Sequence, residues 1–224
     1  MLKSSRGFTL IELMVGLTIM AFLLMSGVSS MSEWIRNSQM RSAAESIVNG
    51  LNSTRAEAVK RNTTVRFQLT SSLGNDCTID PSGKNWVINL SGATPEGQCG
   101  KALSDTAEPY MLQRAVSAND SNPILIKASQ AAVAFTGFGQ QGRVDPAQPI
   151  TVMTIDITPT ESGTCRKDGG KLRCLRIVIS PGGQARMCDP SMSNSSNDPI
   201  VWSARRHTQS QNRSCLPTRT LSKW

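Results

Sequence analysis

The chain has 224 residues, of which 38% are hydrophobic, and its 24 Lys and Arg outnumber its 16 Asp and Glu, giving a formal net charge of +8. This length suits one soluble domain besides an anchoring helix, and the moderate hydrophobic content leaves only the N-terminal run for lipid. His207 is the only histidine and no Cys-x-x-Cys pair occurs, so the usual zinc sites are excluded and we expect no metal and no cofactor.

The first segment of the chain combines an apolar run with a single carboxylate. Residues 6–12 read Arg-Gly-Phe-Thr-Leu-Ile-Glu, and residues 13–31 carry no charge. At about 1.5 Å per residue, a helix over residues 8–31 spans a hydrocarbon core of about 30 Å. The basic residues before the run predict that its start faces the cytoplasm. A carboxylate within a bilayer costs about 2.5–3.5 kcal/mol, so Glu12 is expected to have a cationic partner.

This segment is similar to the processing and assembly signature of type IV pilins and pseudopilins. The resemblance implies that a prepilin peptidase removes the leader, residues 1–7, by cutting between Gly7 and Phe8, and that Phe8 is then N-methylated. It also implies that Glu12 pairs with the Phe8 amine of the same or a neighbouring subunit, which sets the register of assembly because a mismatched neighbour leaves a charge unpaired. An ordinary signal peptide lacks support because no Ala-x-Ala-like site closes the run. A plain anchor, or a protonated and lipid-facing Glu12, gives the carboxylate no role.

The helical pattern continues beyond the apolar run. Apolar residues recur at the three- and four-residue spacing of one helical face, with one arginine as the exception: Ala44, Ile47, Val48, Leu51, Arg55, Ala58 and Val59. We therefore expect one helix over residues 8–61, with residues 8–31 in the membrane and residues 32–61 packed on a head. Asn62 is the expected terminator, and residues 62–224 form the head.

After the helix the hydrophobic period changes to two, the period of a β-strand. The pattern predicts strands over residues 63–70, 86–90, 131–138, 150–157 and 172–179, with turn-rich stretches at 92–100 and 117–123. Short strands without a second set of helices favour an α+β class with one mostly antiparallel sheet. A long helix on such a sheet resembles the pilin fold, and residues 135–144 and 177–188 are similar to later strands of the GspH/FimT/FimU family.

Six cysteines in an exported domain indicate three disulfides, because the periplasm is oxidising. Residues 165–174 read Cys-Arg-Lys-Asp-Gly-Gly-Lys-Leu-Arg-Cys, and the central Gly-Gly predicts a two-residue hairpin. Counting outward from the turn places Arg166 opposite Arg173. The next pair, Cys165 and Cys174, is then a close, non-hydrogen-bonded pair that suits a disulfide. Pairing sequence neighbours gives the other expected disulfides, although sequence alone does not exclude other pairings: Cys77–Cys99 and Cys188–Cys215.

The net charge is concentrated towards the C-terminus. Residues 165–224 contain 11 Lys and Arg against 3 Asp and Glu, whereas the two classes balance in residues 1–164. Such a concentration fits an anion- or DNA-binding surface, a solvated face, or a docking surface for an acidic partner. The arginines considered for binding are Arg166, Arg173, Arg186, Arg205, Arg206 and Arg213.

The resemblance makes DNA a possible partner without favouring it. Some FimT-like members are DNA-uptake receptors that use a C-terminal Gly-Arg-x-Arg motif. The corresponding stretch here is Gly183-Gln184-Ala185-Arg186, in which glutamine replaces the first arginine.

No catalytic set is recognisable, because the sequence has neither a Gly-x-Ser-x-Gly elbow nor a phosphate-binding loop. We expect a substrate of the prepilin peptidase and not an enzyme. The resemblance implies a single-pass protein of the bacterial inner membrane with its head in the periplasm. It would assemble with other pilins or pseudopilins to initiate or cap a type IV pilus or a type II secretion pseudopilus. Two alternatives stay open: a pilus-associated DNA receptor, and a type II secretion pseudopilin H that engages exported cargo.

Overall fold

The structure is a computed structural model that describes these parts of the chain: residues 9–119, 123–160, 165–191 and 215, with the backbone alone for residues 24–30. Its longest element is the helix α1, Leu10–Arg61. The helix ends at Asn62, which adopts the left-handed conformation with φ of 48° and donates its N–H to the carbonyls of Ala58 and Val59. Asparagine visits this conformation more readily than most residues do, so Asn62 terminates the helix as expected.

In the described part of the chain, nine strands follow α1. They are β1 Val65–Thr70, β2 Asn85–Leu90, β3 Met111–Val116, β4 Ile124–Ala128, β5 Ala132–Phe135, β6 Gln141–Gly142, β7 Met153–Pro159, β8 Leu175–Ile179 and β9 Ala185–Cys188. They form two antiparallel sheets with strand orders β3-β2-β1-β5-β6 and β4-β7-β8-β9. The expectation of one sheet is wrong. Alternating side chains indicate which face of a strand is buried but not which strand lies beside it, and β4 pairs with β7 instead of a strand of the first sheet.

Five of the strands were predicted from their period, with ends that differ by as many as three residues from those observed: β1, β2, β5, β7 and β8. The strands β3 and β4 were not predicted. In β3 only Met111 is fully buried, so the strand has little alternation. In β4 the exposed face carries Leu125, which is 48% exposed, beside Lys127, so the alternation of apolar and polar residues is incomplete.

The main core lies between α1 and the two sheets, and a smaller cluster surrounds the Cys77–Cys99 disulfide. The buried face of the helix follows a three- and four-residue spacing: Met40, Ala43, Ala44, Ile47, Leu51, Thr54 and Ala58. All of these residues except Ala43 and Thr54 join one cluster with side chains of both sheets, including Phe67 of β1 and Ile155 of β7. Gly50 allows the close approach, because a Cβ there would lie 2.7 Å from the Phe67 ring. Val59 was expected on this face but is 52% exposed, since it lies about 100° around the helix from Ala58.

Three disulfides cross-link the head, and among the described residues no cysteine is free: Cys77–Cys99, Cys165–Cys174 and Cys188–Cys215. The predicted hairpin between Cys165 and Cys174 is nevertheless wrong. Arg166–Asp168 forms a 3₁₀ turn, and Cys165 forms a parallel bridge with Leu172. Arg166 therefore does not face Arg173 across a ladder. Like charges placed opposite one another destabilise a strand pair, and here the turn and the disulfide close the segment instead.

Candidate functional site

The N-terminal half of α1 extends away from the head. Lys171 of the head forms an ion pair with Glu33 at 3.2 Å, and complete burial begins at Met40. Before these residues, the large apolar side chains between Leu10 and Leu23 are 52–79% exposed on every side of the helix. A helix that is apolar all round requires an apolar environment, which the head does not provide.

The expected cleavage site, Gly7 and Phe8, lies outside the described residues. Among the residues that the structure describes, no helix combines the length and the apolarity that crossing a membrane requires.

Glu12 lies in the first turn of α1, and its side chain is exposed. Thr9 precedes the helix in an extended conformation, and its Oγ1 accepts a hydrogen bond from the Glu12 N–H at 3.3 Å. Thr-x-x-Glu is the capping-box pattern, which sequence analysis overlooked although the spacing is visible. A carboxylate in the first turn also interacts favourably with the positive end of the helix dipole. Glu12 therefore lies in the first turn of the helix, four residues after residue 8 in the sequence.

Two of the candidate arginines lie in one loop against the middle of α1. We call the disulfide-closed segment between Cys165 and Cys174 the basic loop. The Arg173 N–H donates to Asn37 Oδ1 at 2.9 Å, and the Arg166 Nε donates to the Lys171 carbonyl at 3.3 Å. The side chains of Arg166 and Arg173 are exposed, so both are available to an anion.

A third candidate, Arg186, lies at the other end of the β8–β9 hairpin. It is paired with Val178, so roughly 15 Å of strand, at about 3.3 Å per residue, separates it from the basic loop. Its Nη2 donates to Gln184 Oε1 at 2.9 Å. Glutamine replaces the first arginine of the FimT-like motif, and it therefore occupies one hydrogen-bond donor of the second arginine, Arg186.

The glycine of that motif has a structural role. Gly183 has φ of +79° in the turn between β8 and β9, and its N–H donates to the Ser180 carbonyl at 2.8 Å. A Cβ at this position would lie 2.1 Å from the Gly139 carbonyl oxygen. The turn packs closely on the β5–β6 turn, so glycine is required here whatever the chain binds.

Arg176, on β8, is excluded as an anion ligand by its own partner. Its Nε and Nη2 donate to the two carboxylate oxygens of Asp156 at 2.6 and 2.8 Å across the strand pair. The hydrogen bonds to Asp156 raise the pKa of the Arg176 guanidinium, against the smaller opposing effect of burial. This bidentate pair uses the geometry that would otherwise bind a phosphate.

Among the described residues, the candidate arginines are not gathered into one surface. Arg166 and Arg173 lie together, Arg186 lies apart, and three more fall outside the described residues: Arg205, Arg206 and Arg213. Within the described ranges, no group of three or more His, Cys, Asp or Glu side chains is placed to hold a metal ion.

Comparisons with known proteins agree with these features. The sequence model of the family described as "Type II transport protein GspH" matches residues 43–183, and that of the prokaryotic N-terminal methylation motif matches residues 2–28. No curated protein sequence matches the chain. Two crystal structures of the type IV minor pilin FimU from Pseudomonas aeruginosa are similar, each at 19% identity. One alignment covers 70% of this chain and 92% of that chain with a TM-score of 0.44, and the other covers 68% and 94% with a TM-score of 0.41.

The GspH match extends over more than half of the chain, from the middle of α1 to the turn after β8. The methylation motif covers the start of the chain, including Glu12. The chain therefore belongs to the GspH family, whose members are structural pilins and not enzymes, and it has the structural role of a pilin or pseudopilin.

Proposed function

We propose that the chain is cleaved between Gly7 and Phe8, is methylated at Phe8, and is held in the inner membrane by a single span over residues 8–31. Its head lies in the periplasm, and it joins other pilins or pseudopilins to initiate or cap a filament. Membership of the family implies both the peptidase and the pilin partners. The proposal goes further in assigning the span, the topology and the role of Glu12.

The observation that carries the proposal is the exposed apolar half of α1 with Glu12 at its start. From residue 7 to residue 32 of the sequence, Glu12 is the only charged side chain. Lipid covers such a surface before assembly, and neighbouring pilin helices cover it afterwards. In either apolar setting the carboxylate requires a cationic partner, and the amine of a cleaved Phe8 is a suitable one.

The DNA-receptor alternative has less support. Gln184 occupies one hydrogen-bond donor of Arg186. In addition, Arg186 and the basic loop are separated by roughly 15 Å along the strand, at about 3.3 Å per residue. The pseudopilin that engages cargo has no specific observation in its favour beyond the match to the GspH family.

Replacement of Glu12 tests the assembly role. We expect Glu12→Ala to leave membrane insertion intact or improved, because a carboxylate is removed from the apolar run. Crosslinking to partner pilins in membranes should fall by roughly tenfold or more, because removing one partner of a buried ion pair costs about 3–5 kcal/mol.

Two control variants separate the possible causes. Thr9→Ala removes the hydroxyl that accepts from Glu12 but keeps the carboxylate, at a cost of about 1 kcal/mol of helix stability. Glu33→Gln removes a carboxylate outside the apolar run. Both should crosslink like the wild type. Equal crosslinking by Glu12→Ala and wild type would contradict the assembly role. Equal losses of crosslinking in Glu12→Ala and Thr9→Ala would mean that Glu12 acts only through the capping of the helix start.

A further inference from the structure

The basic loop lies beside the helix immediately after the apolar run. Lys171 of the loop contacts Glu33, and the Arg173 backbone contacts Asn37. If residue 31 marks the edge of the hydrocarbon core, these contacts lie about 3 and 9 Å beyond it along the helix axis, at about 1.5 Å per residue. The headgroup layer on each side of a bilayer is about 5–8 Å thick. The loop is therefore at the depth of the phospholipid headgroups.

Its charge suits that position. The side chains of the loop that carry charge are all exposed: Arg166, Lys167, Asp168, Lys171 and Arg173. Four of these five are cations, and Lys171 remains 80% exposed although it pairs with Glu33. Trp34, 66% exposed at the same level of the helix, adds the amphipathic aromatic ring that membrane interfaces favour.

The loop is also rigidly held at this level. The Cys165–Cys174 disulfide closes it, and Leu172 is buried in the core shared by α1 and the sheets. The Arg173 N–H bond to Asn37 then fixes its height along the helix. A set of cations fixed in position loses less conformational entropy on binding than cations on a flexible tail.

We propose that the basic loop binds the anionic headgroups of the phospholipids that surround the chain's own membrane anchor. The proposal rests on the proposed function, since it requires residues 8–31 to lie in the bilayer. The contact holds the head close against the membrane before assembly, and extraction of the chain into a filament breaks it. Double-stranded DNA also carries phosphates. The helix, however, places the basic loop beside the membrane surface and not beside a DNA duplex.

One lysine of the basic loop and one lysine of α1 form a matched pair for the test. Lys171 is 80% exposed and lies 3.2 Å from Glu33, whereas Lys60 is 72% exposed and lies 3.5 Å from Glu57. Lys60 is about 40 Å further along the helix from residue 31, at about 1.5 Å per residue, and so is beyond the reach of the headgroups.

The experiment uses the full-length chain in vesicles of phosphatidylcholine alone and in vesicles that also contain phosphatidylglycerol. Both lysines are reductively methylated with formaldehyde, which forms the imine, and dimethylamine–borane, which supplies the hydride that reduces it. Both reagents are uncharged, and the rates are read by mass spectrometry. We expect Lys171 to react about fivefold more slowly with phosphatidylglycerol present, while Lys60 is unchanged. High salt should abolish the difference. The difference in the Lys171 rate should become smaller in the double variant Arg166→Gln with Arg173→Gln. It should not change in the control double variant Lys101→Gln with Arg143→Gln, which removes two exposed cations elsewhere.

Flotation of the same samples distinguishes the two proposals. A chain that fails to float with phosphatidylcholine vesicles contradicts the membrane anchor and, with it, the lipid contact. A chain that floats but shows the same Lys171 rate in both vesicles contradicts the lipid contact alone. If a short DNA duplex slows Lys171 in phosphatidylcholine vesicles and phosphatidylglycerol does not, the loop is a nucleic-acid contact and the lipid proposal is wrong.

Discussion

At the scale of single residues, glycine and glutamine determine what the motif at residues 183–186 can do. Gly183 has positive φ and no room for a Cβ beside the Gly139 carbonyl, and Gln184 accepts from Arg186. In this motif, which resembles a binding signature, the glycine is thus explained by the packing of two turns. Sequence comparison alone does not separate these roles, because a glycine needed for a turn and one needed for a ligand look the same.

Gly183→Ala tests this structural role. We expect it to lower the free energy of unfolding by about 2 kcal/mol or more, because the left-handed conformation alone costs an L-residue about 1–2 kcal/mol and the new methyl group meets the Gly139 carbonyl. Gly182→Ala is the matched control. A Cβ there meets nothing closer than Ser180 Oγ at 3.8 Å, so its effect should stay within about 0.5 kcal/mol. Urea unfolding of the full chain in detergent measures both, and equal effects would contradict the argument.

At the scale of elements, the sequence predicted best where local chemistry decides the outcome. The helix α1 follows from its periodicity and ends at Asn62, whereas the cap formed by Thr9 and Glu12 was not predicted although their spacing shows it. The prediction of a hairpin within the basic loop was wrong because a Gly-Gly pair permits a tight turn but does not require the flanking residues to pair as strands. Gly169 supplies a positive φ of 86° at the end of a 3₁₀ turn instead. The Cys165–Cys174 pairing nevertheless occurs, since both geometries bring the two cysteines together.

Removing that disulfide should destabilise the head measurably. For a loop of this size, we expect Cys165→Ala with Cys174→Ala to cost about 3 kcal/mol by relaxing the unfolded chain. The longer loop closed by Cys77 and Cys99 predicts a slightly larger loss for the corresponding double variant. Urea unfolding compares the two, and peptide mapping under non-reducing conditions identifies the pairs. A free thiol at Cys165, or its attachment to another cysteine, would overturn this account of the basic loop.

At the scale of the whole molecule, the sequence predicted a helix on a β-rich head but neither the division into two sheets nor the placement of the charges. The excess of Lys and Arg after residue 164 fitted an anion-binding surface, a solvated face or a docking surface. In the structure, Arg176 is bound by Asp156, Arg186 is bound by Gln184, and the basic loop lies at the base of the head. Net charge is a property of composition, whereas a binding surface depends on pairing and topology, which composition does not contain.

This separation predicts weak and unselective binding of the whole chain to DNA. We expect its affinity for a short duplex to fall with salt at a log–log slope of about −0.9 per phosphate neutralised, and to match its affinity for heparin of similar charge density. Titration of the full chain in a neutral detergent at several salt concentrations measures the slope. Arg186→Gln should change the slope by no more than about one phosphate contact, because Gln184 already occupies one of its donors.

The decisive variant is Gln184→Arg, which removes the acceptor that binds Arg186 and supplies the missing first arginine of the FimT-like motif. If that motif requires two unpaired arginines, the variant should bind DNA more tightly than heparin and steepen the salt slope by about one to two contacts. Lys127→Arg, which changes the type of an exposed cation on β4 but adds no charge, is the control and should leave both quantities unchanged. A wild-type chain that already prefers DNA, and that loses this preference with Arg186→Gln, would reverse the conclusion. The chain would then be a receptor despite Gln184, because Arg186 would have to exchange its glutamine partner for a phosphate.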